Sequence, residues 1–278
     1  MIPQYREHLG IPTSFDRYVE PFFGAGAMFC ELYNRGSLDG KMVRINDLNS
    51  EVIKLYRTIR DDCEGLIHIL KLIEERYLKM DYKKRKEHYY LVRNAYAFQG
   101  FETMLDSATF LFLVKTGFNG IFQTMEGSDR FASPCGLLNH TDSLFAYDLI
   151  REWSKALHPV YIENRDWSDV ARTNGWKDNT FFFMDPPYRD CFKHYGVDDF
   201  NHAALIHWAR ELTMGDRNIV FLCNRATDDT YYEDRVGDDL NIDIFGVTYT
   251  AGRRKKNEDG THSAVKAQEV LLNNVRRL

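Results

Sequence analysis

The chain has 278 residues, of which 44% are hydrophobic and 28% are charged, and its formal net charge is −5. This composition is typical of a soluble globular protein with one or two domains and excludes a mainly disordered chain. No apolar run approaches the ~18 residues that a membrane span needs. Arg6, Glu7 and His8 stand where a signal peptide would have its apolar core, which predicts a cytoplasmic protein.

The cysteines indicate neither a metal site nor a disulfide framework. The chain has 5 of them, at positions 30, 63, 135, 191 and 223, and no two form a C-x-x-C pair. Structural zinc sites and disulfide-rich domains need paired spacings. We therefore predict reduced thiols and no metal.

Predicted strands alternate with helical patterns along most of the chain. The strands are predicted at residues 17–22, 42–46, 160–164, 180–184, 218–223, 241–249 and 269–273. Helical patterns follow the first, second and fourth strands, and Asn49 or Ser50 is suited to cap the second helix. This alternation predicts an α/β fold with a seven-stranded, mostly parallel sheet.

The alternation is interrupted between residues 60 and 157. Three helical patterns, at 63–79, 84–98 and 101–116, are followed by a loop-rich part at 117–140. We therefore predict a sheet domain formed by residues 1–59 and 158–278. Residues 60–157 are predicted to form an inserted, mainly helical subdomain.

The first predicted strand runs into a glycine turn that opens a helix. Residues 20–26 read Glu-Pro-Phe-Phe-Gly-Ala-Gly, and Asp47 ends the next strand. Glycines there let a ligand approach the backbone, and an acid after the second strand can bind ribose hydroxyls. A dinucleotide fingerprint would need a third glycine where Phe29 stands. The pattern favours a cofactor without a pyrophosphate, such as S-adenosylmethionine, and a tight turn without a ligand is the alternative.

The fourth predicted strand ends in Asp-Pro-Pro-Tyr at residues 185–188. Two prolines stiffen the turn and remove two amide donors, so carbonyl oxygens and the Asp185 carboxylate form a cluster of acceptors. Acceptors suit an amino group rather than a phosphate, and Tyr188 offers a face on which a base can stack. An amine held in this way exposes its lone pair for attack on an electrophilic methyl group. The alternative is a rigid turn with a surface tyrosine.

These two motifs, with Asn46 and Asp47 between them, resemble the motifs of the Dam-like, D12-class DNA adenine N6-methyltransferases. Residues 116–122 (Thr-Gly-Phe-Asn-Gly-Ile-Phe) and 130–136 (Arg-Phe-Ala-Ser-Pro-Cys-Gly) resemble parts of that family's target-recognition insertion. The resemblance implies a catalytic S-adenosylmethionine-binding sheet domain and a DNA-binding insertion at 60–157. It also implies transfer of a methyl group from S-adenosylmethionine to N6 of an adenine flipped out of double-stranded DNA.

The resemblance also implies roles for individual residues. Catalysis is expected from Asp185, Pro186 and Tyr188, and cofactor binding from Phe22, Gly24, Gly26, Asp47, Asp166 and Asp185. DNA binding is expected from Lys115, Phe118, Asn119, Gln123, Arg130 and Ser133.

Phe118 and Asn119 match family positions that touch DNA near the space left by the flipped base, which implies that the ring of Phe118 fills that space. DNA binding is also expected from Arg253 and Arg254, on a separate ground. Arg253 and Arg254 lie in a basic run between the last two predicted strands, where they suit phosphate contacts. A solvated hairpin is the alternative for that run.

Two departures from the family leave other functions open. The family usually has a Trp-x-Gly-x-Lys-like segment near its N-terminus, whereas residues 1–9 resemble the helix just after it. Either the chain is truncated or misassigned at its start, or its cofactor binding is weakened. A catalytically impaired DNA-binding module is therefore one alternative, and methylation of an amine in RNA or protein is another. Gln123 stands where relatives that read GATC often have arginine, so no target sequence is assigned.

Overall fold

The computed structural model describes residues 2–96, 103–120, 131–139, 142–173, 178–189, 200–214, 217–249, 255–256, 262–263 and 265–275. Four predicted DNA-binding residues, Gln123, Arg130, Arg253 and Arg254, lie outside the described residues. Within the described ranges, no helix is both long enough and apolar enough to cross a membrane.

Most of the strands join one sheet. The strands are β1 (Arg17–Glu20), β2 (Met42–Asn46), β3 (Val160–Glu163), β4 (Thr180–Met184), β5 (Ile219–Arg225), β6 (Asn241–Tyr249), β7 (Lys255–Lys256), β8 (His262–Ser263) and β9 (Val265–Asn273). The seven-stranded sheet has the order β3-β2-β1-β4-β5-β9-β6, and β7 pairs with β8. The pairs β1–β2, β1–β4 and β4–β5 are parallel, whereas β9 runs antiparallel to both β5 and β6. The predicted α/β fold with a mostly parallel, seven-stranded sheet is confirmed.

The helices begin where local sequence signals allow. They are α1 (Ile2–His8), α2 (Ala27–Asn34), α3 (Ser50–Asp61), α4 (Cys63–Leu78), α5 (Tyr82–Ala95), α6 (Met104–Thr116), α7 (Tyr147–Leu157), α8 (Trp167–Ala171), α9 (His202–Thr213) and α10 (Glu233–Val236). Asn49 caps α3, since its side chain accepts hydrogen bonds from the amides of Glu51 and Val52. Thr103 and Asp106 form a reciprocal capping box at the start of α6.

The central strand β4 is buried on both faces. Every residue of Thr180–Met184 is buried, which is why this strand reads as a continuous apolar run. Phe182 belongs to a core cluster that includes Leu205 of α9. Phe181 contacts the ring of Tyr18 on the neighbouring strand, with 5.6 Å between the centroids. The strand therefore holds the Asp-Pro-Pro-Tyr turn that follows it on a rigid base.

The chain divides into two compact units. The first comprises Met1–Leu48, Glu163–Phe192 and Asp199–Leu278, and the second is built on Asn49–Ile162. The second unit is wider than the predicted insertion at 60–157 because it also contains α3. The assignment of one unit to catalysis and the other to target recognition stays a prediction.

Candidate active site and nucleic-acid interface

The two sequence motifs meet at one edge of the sheet. In the parallel pair β1–β4, Val19 lies opposite Phe182. Glu20, the last residue of β1, and Asp185, the first residue after β4, therefore lie at the same edge of the sheet. In the pair β1–β2, Glu20 lies opposite Ile45, which brings Asp47 to the same edge. Open α/β sheets bind ligands at this edge. The geometry therefore provides one location for a cofactor loop and an acceptor cluster.

The glycine loop is tied to the end of β2. Gly24 and Gly26 have φ angles of 48° and 67°, in the left-handed region that glycine adopts without strain. The backbone N–H of Gly24 donates a 2.7 Å hydrogen bond to Oδ2 of Asp47. The carboxylate that is predicted to hold a ribose therefore also fixes the loop.

The Asn46 side chain joins three strand ends. Its Nδ2 donates to the carbonyl oxygens of Pro21 and Arg165, at 3.0 Å each. Its Oδ1 accepts from the N–H of Arg165 at 3.1 Å. Asn46 is 1% exposed, and buried amides are stable only when they are paired in this way. The segments that follow β1, β2 and β3 are thus held together by one residue.

Aromatic rings lie beside the glycine loop. The ring centroid of Phe22 is 6.4 Å from that of Trp167 and 5.7 Å from that of Phe200. Asp166 caps α8 by accepting a 2.8 Å hydrogen bond from the N–H of Ser168. Asp166 therefore has a structural contact in addition to the cofactor contact predicted for it.

Asp185 lies in a crowded, acidic environment. The residue is exposed to solvent, although many protein atoms lie around its carboxyl group and partly desolvate it. This desolvation, followed by repulsion from Glu269, raises the pKa of Asp185 to about 7. A carboxyl of this kind changes its charge near neutral pH.

A buried acid stands at the end of β1. Glu20 is 2% exposed, and its Oε2 accepts a 2.6 Å hydrogen bond from the hydroxyl of Tyr18. Burial raises the pKa of Glu20 well above its usual range in spite of that hydrogen bond, and the charges of Asp185 and Asp47 raise it further. Glu20 is therefore coupled electrostatically to Asp47 and Asp185, and Asp185 in turn is coupled to Glu269.

Tyr188 is held by a residue that the sequence did not single out. Its hydroxyl donates a 3.0 Å hydrogen bond to Oε1 of Glu269 on β9. Glu269 is 2% exposed and precedes the fully buried run Val270–Leu272. The sequence signal that could have indicated Glu269 is an acidic residue directly before an apolar run.

The residue after the tetrapeptide anchors the end of the turn. The N–H of Arg189 donates to Oδ1 of Asn224 at 3.0 Å, and its guanidinium donates to Asp229 at 3.0 Å. The same guanidinium lies 3.9 Å from the ring centroid of Tyr231. Hydrogen bonds from Arg189 and Thr227 lower the pKa of Asp229 well below its usual range. The turn is thus fixed at both ends.

Two segments with predicted DNA contacts, residues 116–120 and 131–136, pair with each other in the second unit. We call these two segments the platform. The N–H of Phe118 donates to the carbonyl of Pro134, and the N–H of Gly136 donates to the carbonyl of Thr116, both at 2.8 Å. Phe118 is 45% exposed, and Lys115 and Asn119 are exposed as well. Asn119 has a φ of 54°, which Asn tolerates better than most residues. The platform presents an aromatic ring between polar neighbours.

Ser133 lies inside this platform. It is 1% exposed, and its carbonyl accepts hydrogen bonds from the Tyr89 hydroxyl at 2.9 Å and from Arg93 at 3.3 Å. These contacts attach the platform to α5. Ser133 therefore shapes the platform in this structure, and a DNA contact by its side chain stays a prediction.

Among the residues that the structure describes, no group of three or more His, Cys, Asp or Glu residues is arranged to hold a metal ion. Cys30, Cys63, Cys135 and Cys223 are free thiols.

Comparison with known proteins agrees with the motifs. Residues 3–236 match the family model described as D12 class N6 adenine-specific DNA methyltransferase. The type II methyltransferase M.MjaIII of Methanocaldococcus jannaschii is 28% identical over 247 residues, which cover 86% of this chain and 79% of that protein.

Two further relatives are bacterial. The type II methyltransferase M1.LlaDCHI of Lactococcus lactis subsp. cremoris is 24% identical, over 95% of this chain and 88% of that protein. A DNA adenine methylase of Vibrio cholerae is 29% identical, over 86% of this chain and 84% of that protein. Because the family model spans most of the sequence, the chain belongs to the D12 class of N6 adenine-specific DNA methyltransferases.

Proposed function

We propose that this methyltransferase takes its methyl group from S-adenosylmethionine and acts on an adenine flipped out of double-stranded DNA. The observation that carries the proposal is the meeting of the glycine loop, Asp47 and Asp185 at one carboxyl edge of the sheet. A donor on one side of that edge and an acceptor cluster on the other are what the transfer of a methyl group to an amine requires.

The charge of this edge fits S-adenosylmethionine. Asp47 and Asp185 act electrostatically on Glu20 there, and Glu269 acts on Asp185. Clustered acids favour a cation, whose binding stabilises their charged forms, and they disfavour the phosphates of a dinucleotide. S-adenosylmethionine carries a sulfonium and an ammonium group, and when bound it supplies an electrophilic methyl group. Phe22, Gly24, Gly26, Asp47 and Asp166 are the residues that we expect to hold it.

Asp185 and the Pro186 carbonyl have the chemistry to hold the target amine. Both offer acceptors, and prolines at 186 and 187 provide no competing N–H. Hydrogen bonds from the two N–H groups of adenine N6 would turn the nitrogen lone pair away from the ring. The Asp185 carboxylate, with a pKa of about 7, is also suited to accept the proton that leaves the nitrogen.

The DNA side of the proposal depends on the platform and on Tyr188. Tyr188 provides a half-buried ring on which an extruded base can stack. Phe118 provides an exposed ring that can fill the vacated space in the duplex. Lys115, Asn119, Gln123, Arg130, Arg253 and Arg254 stay predicted DNA contacts.

The cellular setting stays a prediction. The type II names of two relatives support a restriction–modification setting, and a phage setting is supported by a DNA N-6-adenine-methyltransferase of Escherichia phage P1. A cytoplasmic location, where such DNA lies in a bacterial cell, agrees with both.

The test uses wild-type protein, S-adenosylmethionine with a labelled methyl group, and mixed-sequence duplex DNA. With wild-type protein we expect label in N6-methyladenine after the DNA is digested to nucleosides, and with Asp185→Ala we expect none. Asp238→Ala is the control and should incorporate as much label as wild type, because Asp238 is an exposed acid of the same unit. RNA and peptide competitors are added in separate reactions. Failure of calorimetry to detect S-adenosylmethionine binding, or preferential labelling of RNA or peptide, would refute the proposal.

A further inference from the structure

The sheet topology explains how a residue near the end of the chain reaches the Asp-Pro-Pro-Tyr turn. β9 lies beside β5 and runs antiparallel to it, with Glu269 opposite Arg225. The first half of β9 therefore lies at the edge where β4 and β5 end. Tyr188 and Glu269 are 81 positions apart in the sequence, yet their side chains meet at 3.0 Å.

The contact is formed in a place where a carboxylate must be paired. Glu269 is 2% exposed, and a buried carboxylate without hydrogen bonds is strongly unfavourable. A hydrogen bond to a charged acceptor is roughly twice as strong as a neutral one. The hydrogen bond to Glu269 therefore restricts where the Tyr188 hydroxyl, and with it the ring, can lie.

We propose that Glu269 is a positioning residue for methyl transfer, because its carboxylate holds the Tyr188 hydroxyl and so fixes the ring on which the target adenine stacks. This inference rests on the proposed function, since it gives Tyr188 the role of a stacking platform. Glu269 is also near enough to the acceptor cluster for its charge to act on Asp185.

A residue that acts through Tyr188 should affect the DNA side of the reaction. The base, and not the methyl donor, is expected to contact the tyrosine ring. A loose ring would have to be ordered each time a base enters, and ordering one side chain lowers binding by roughly two- to tenfold. Binding of S-adenosylmethionine by the glycine loop and Asp47 should remain unchanged.

The experiment measures kcat and KM for duplex DNA, together with the dissociation constant for S-adenosylmethionine, in a set of variants. Tyr188→Phe removes the hydroxyl and keeps the ring, Glu269→Ala removes the acceptor, and Glu269→Gln keeps an oxygen in its place. Tyr232→Phe is the matched control, because the Tyr232 hydroxyl donates a 3.0 Å hydrogen bond to the Arg225 carbonyl and not to Glu269. The double variant Tyr188→Phe/Glu269→Ala closes a double-mutant cycle.

We expect Tyr188→Phe and Glu269→Ala each to lower kcat/KM for DNA by roughly tenfold, mainly through KM. The double variant should lose no more of its kcat/KM than either single variant. The kcat/KM of Glu269→Gln should stay within about threefold of wild type, and the affinity for S-adenosylmethionine should not change in any variant. Tyr188→Phe tests the same contact should Glu269→Ala fail to fold.

Two results would overturn the positioning role alone. One is a Tyr188→Phe variant that folds and is fully active. The other is a Glu269→Ala substitution that lowers kcat/KM by the same factor in the Tyr188→Phe variant as in the wild type. A wild-type protein that forms no N6-methyladenine would instead overturn the proposed function, and this inference with it.

Discussion

Asp47 accepts a 2.7 Å hydrogen bond from the backbone N–H of Gly24, so the acid after β2 and the loop after β1 are a single unit. The same acid is predicted to hold the ribose of the methyl donor. Changes at Asp47 should therefore disturb both the shape of the cofactor loop and its contact with the cofactor.

Replacement of Asp47 by Ala should weaken S-adenosylmethionine binding by about ten- to a hundredfold. A hydrogen bond to a charged group contributes about 1.5–3 kcal/mol, and the substitution removes such bonds both from the loop and from the ligand. Isothermal titration calorimetry measures the change, with Asp238→Ala as the control. An unchanged dissociation constant in a folded Asp47→Ala protein would rule out this role.

S-adenosylmethionine binding should be linked to proton release around neutral pH. The pKa of Asp185 in the free protein is about 7, and a cationic ligand nearby favours the deprotonated carboxylate. Affinity should therefore rise as the pH increases through 7, and binding at pH 6.5 should release protons. Calorimetry in two buffers of different ionisation enthalpy detects the release, which Asp185→Asn should abolish. Equal heats in both buffers would contradict the prediction.

Asp185→Asn should stabilise the ligand-free protein at pH 8 but not at pH 4. The pKa of Asp185 is raised in the folded state above its unfolded value near 4, so the folded state binds more protons between pH 4 and 7. The carboxylate thus costs stability above that range, and the amide removes the cost. Thermal melts at both pH values test this, with Asp238→Asn as the control. A shift in Tm that is equal at the two pH values would contradict the explanation.

Phe118→Ala should lower kcat/KM for a paired target adenine by roughly tenfold, because the vacated space in the duplex is no longer filled. The loss should be smaller on DNA in which the target adenine is mismatched, since a mismatched base costs less to extrude. Leu137→Ala is a suitable control, because Leu137 is 81% exposed in the same unit. Fluorescence of 2-aminopurine at the target position reports extrusion directly, and equal signals from wild type and Phe118→Ala would argue against the role.

Gly136→Ala should destabilise the platform by about 1–3 kcal/mol. A Cβ atom at Gly136 would lie 2.6 Å from the carbonyl oxygen of Gly117, and this carbonyl is backbone that cannot move aside cheaply. At Gly246 a Cβ atom would meet nothing within 4 Å, so Gly246→Ala serves as the control. Urea unfolding measures both variants, and equal midpoints would refute the steric argument.

The fold could be predicted where the signals are local. Buried strands such as β4 appear as apolar runs, and Asn49 stands directly before the helix that it caps. Lys83, Lys84, Arg85 and Lys86 form a basic run in the sequence, which suggests a charged surface, and this run shows the limit of local signals. Arg85 is 9% exposed and donates to the carbonyls of Tyr77, Leu78 and Leu138, so it is not part of the basic surface that the run suggests. Only tertiary packing decides which cation of a run is buried.

The residues of the candidate site also fall into those that the sequence indicates and those that only the tertiary structure reveals. Gly24, Asp47 and Asp185 follow strands that the sequence indicates, and parallel pairing brings them to one edge. Glu269 reaches that edge only because β9 is antiparallel and lies next to β5. No local pattern specifies which neighbour the last strand selects, and Glu269 was therefore missed.

The position of β9 also has a consequence for synthesis on the ribosome. β9 lies between β5 and β6 in the sheet, but it is translated after both of them. β6 therefore pairs with β9 only after β9 has left the exit tunnel, and the Tyr188–Glu269 hydrogen bond also has to wait for β9. A nascent chain without β9 can form the glycine loop early, but it completes the base-stacking side of the site only once β9 is available.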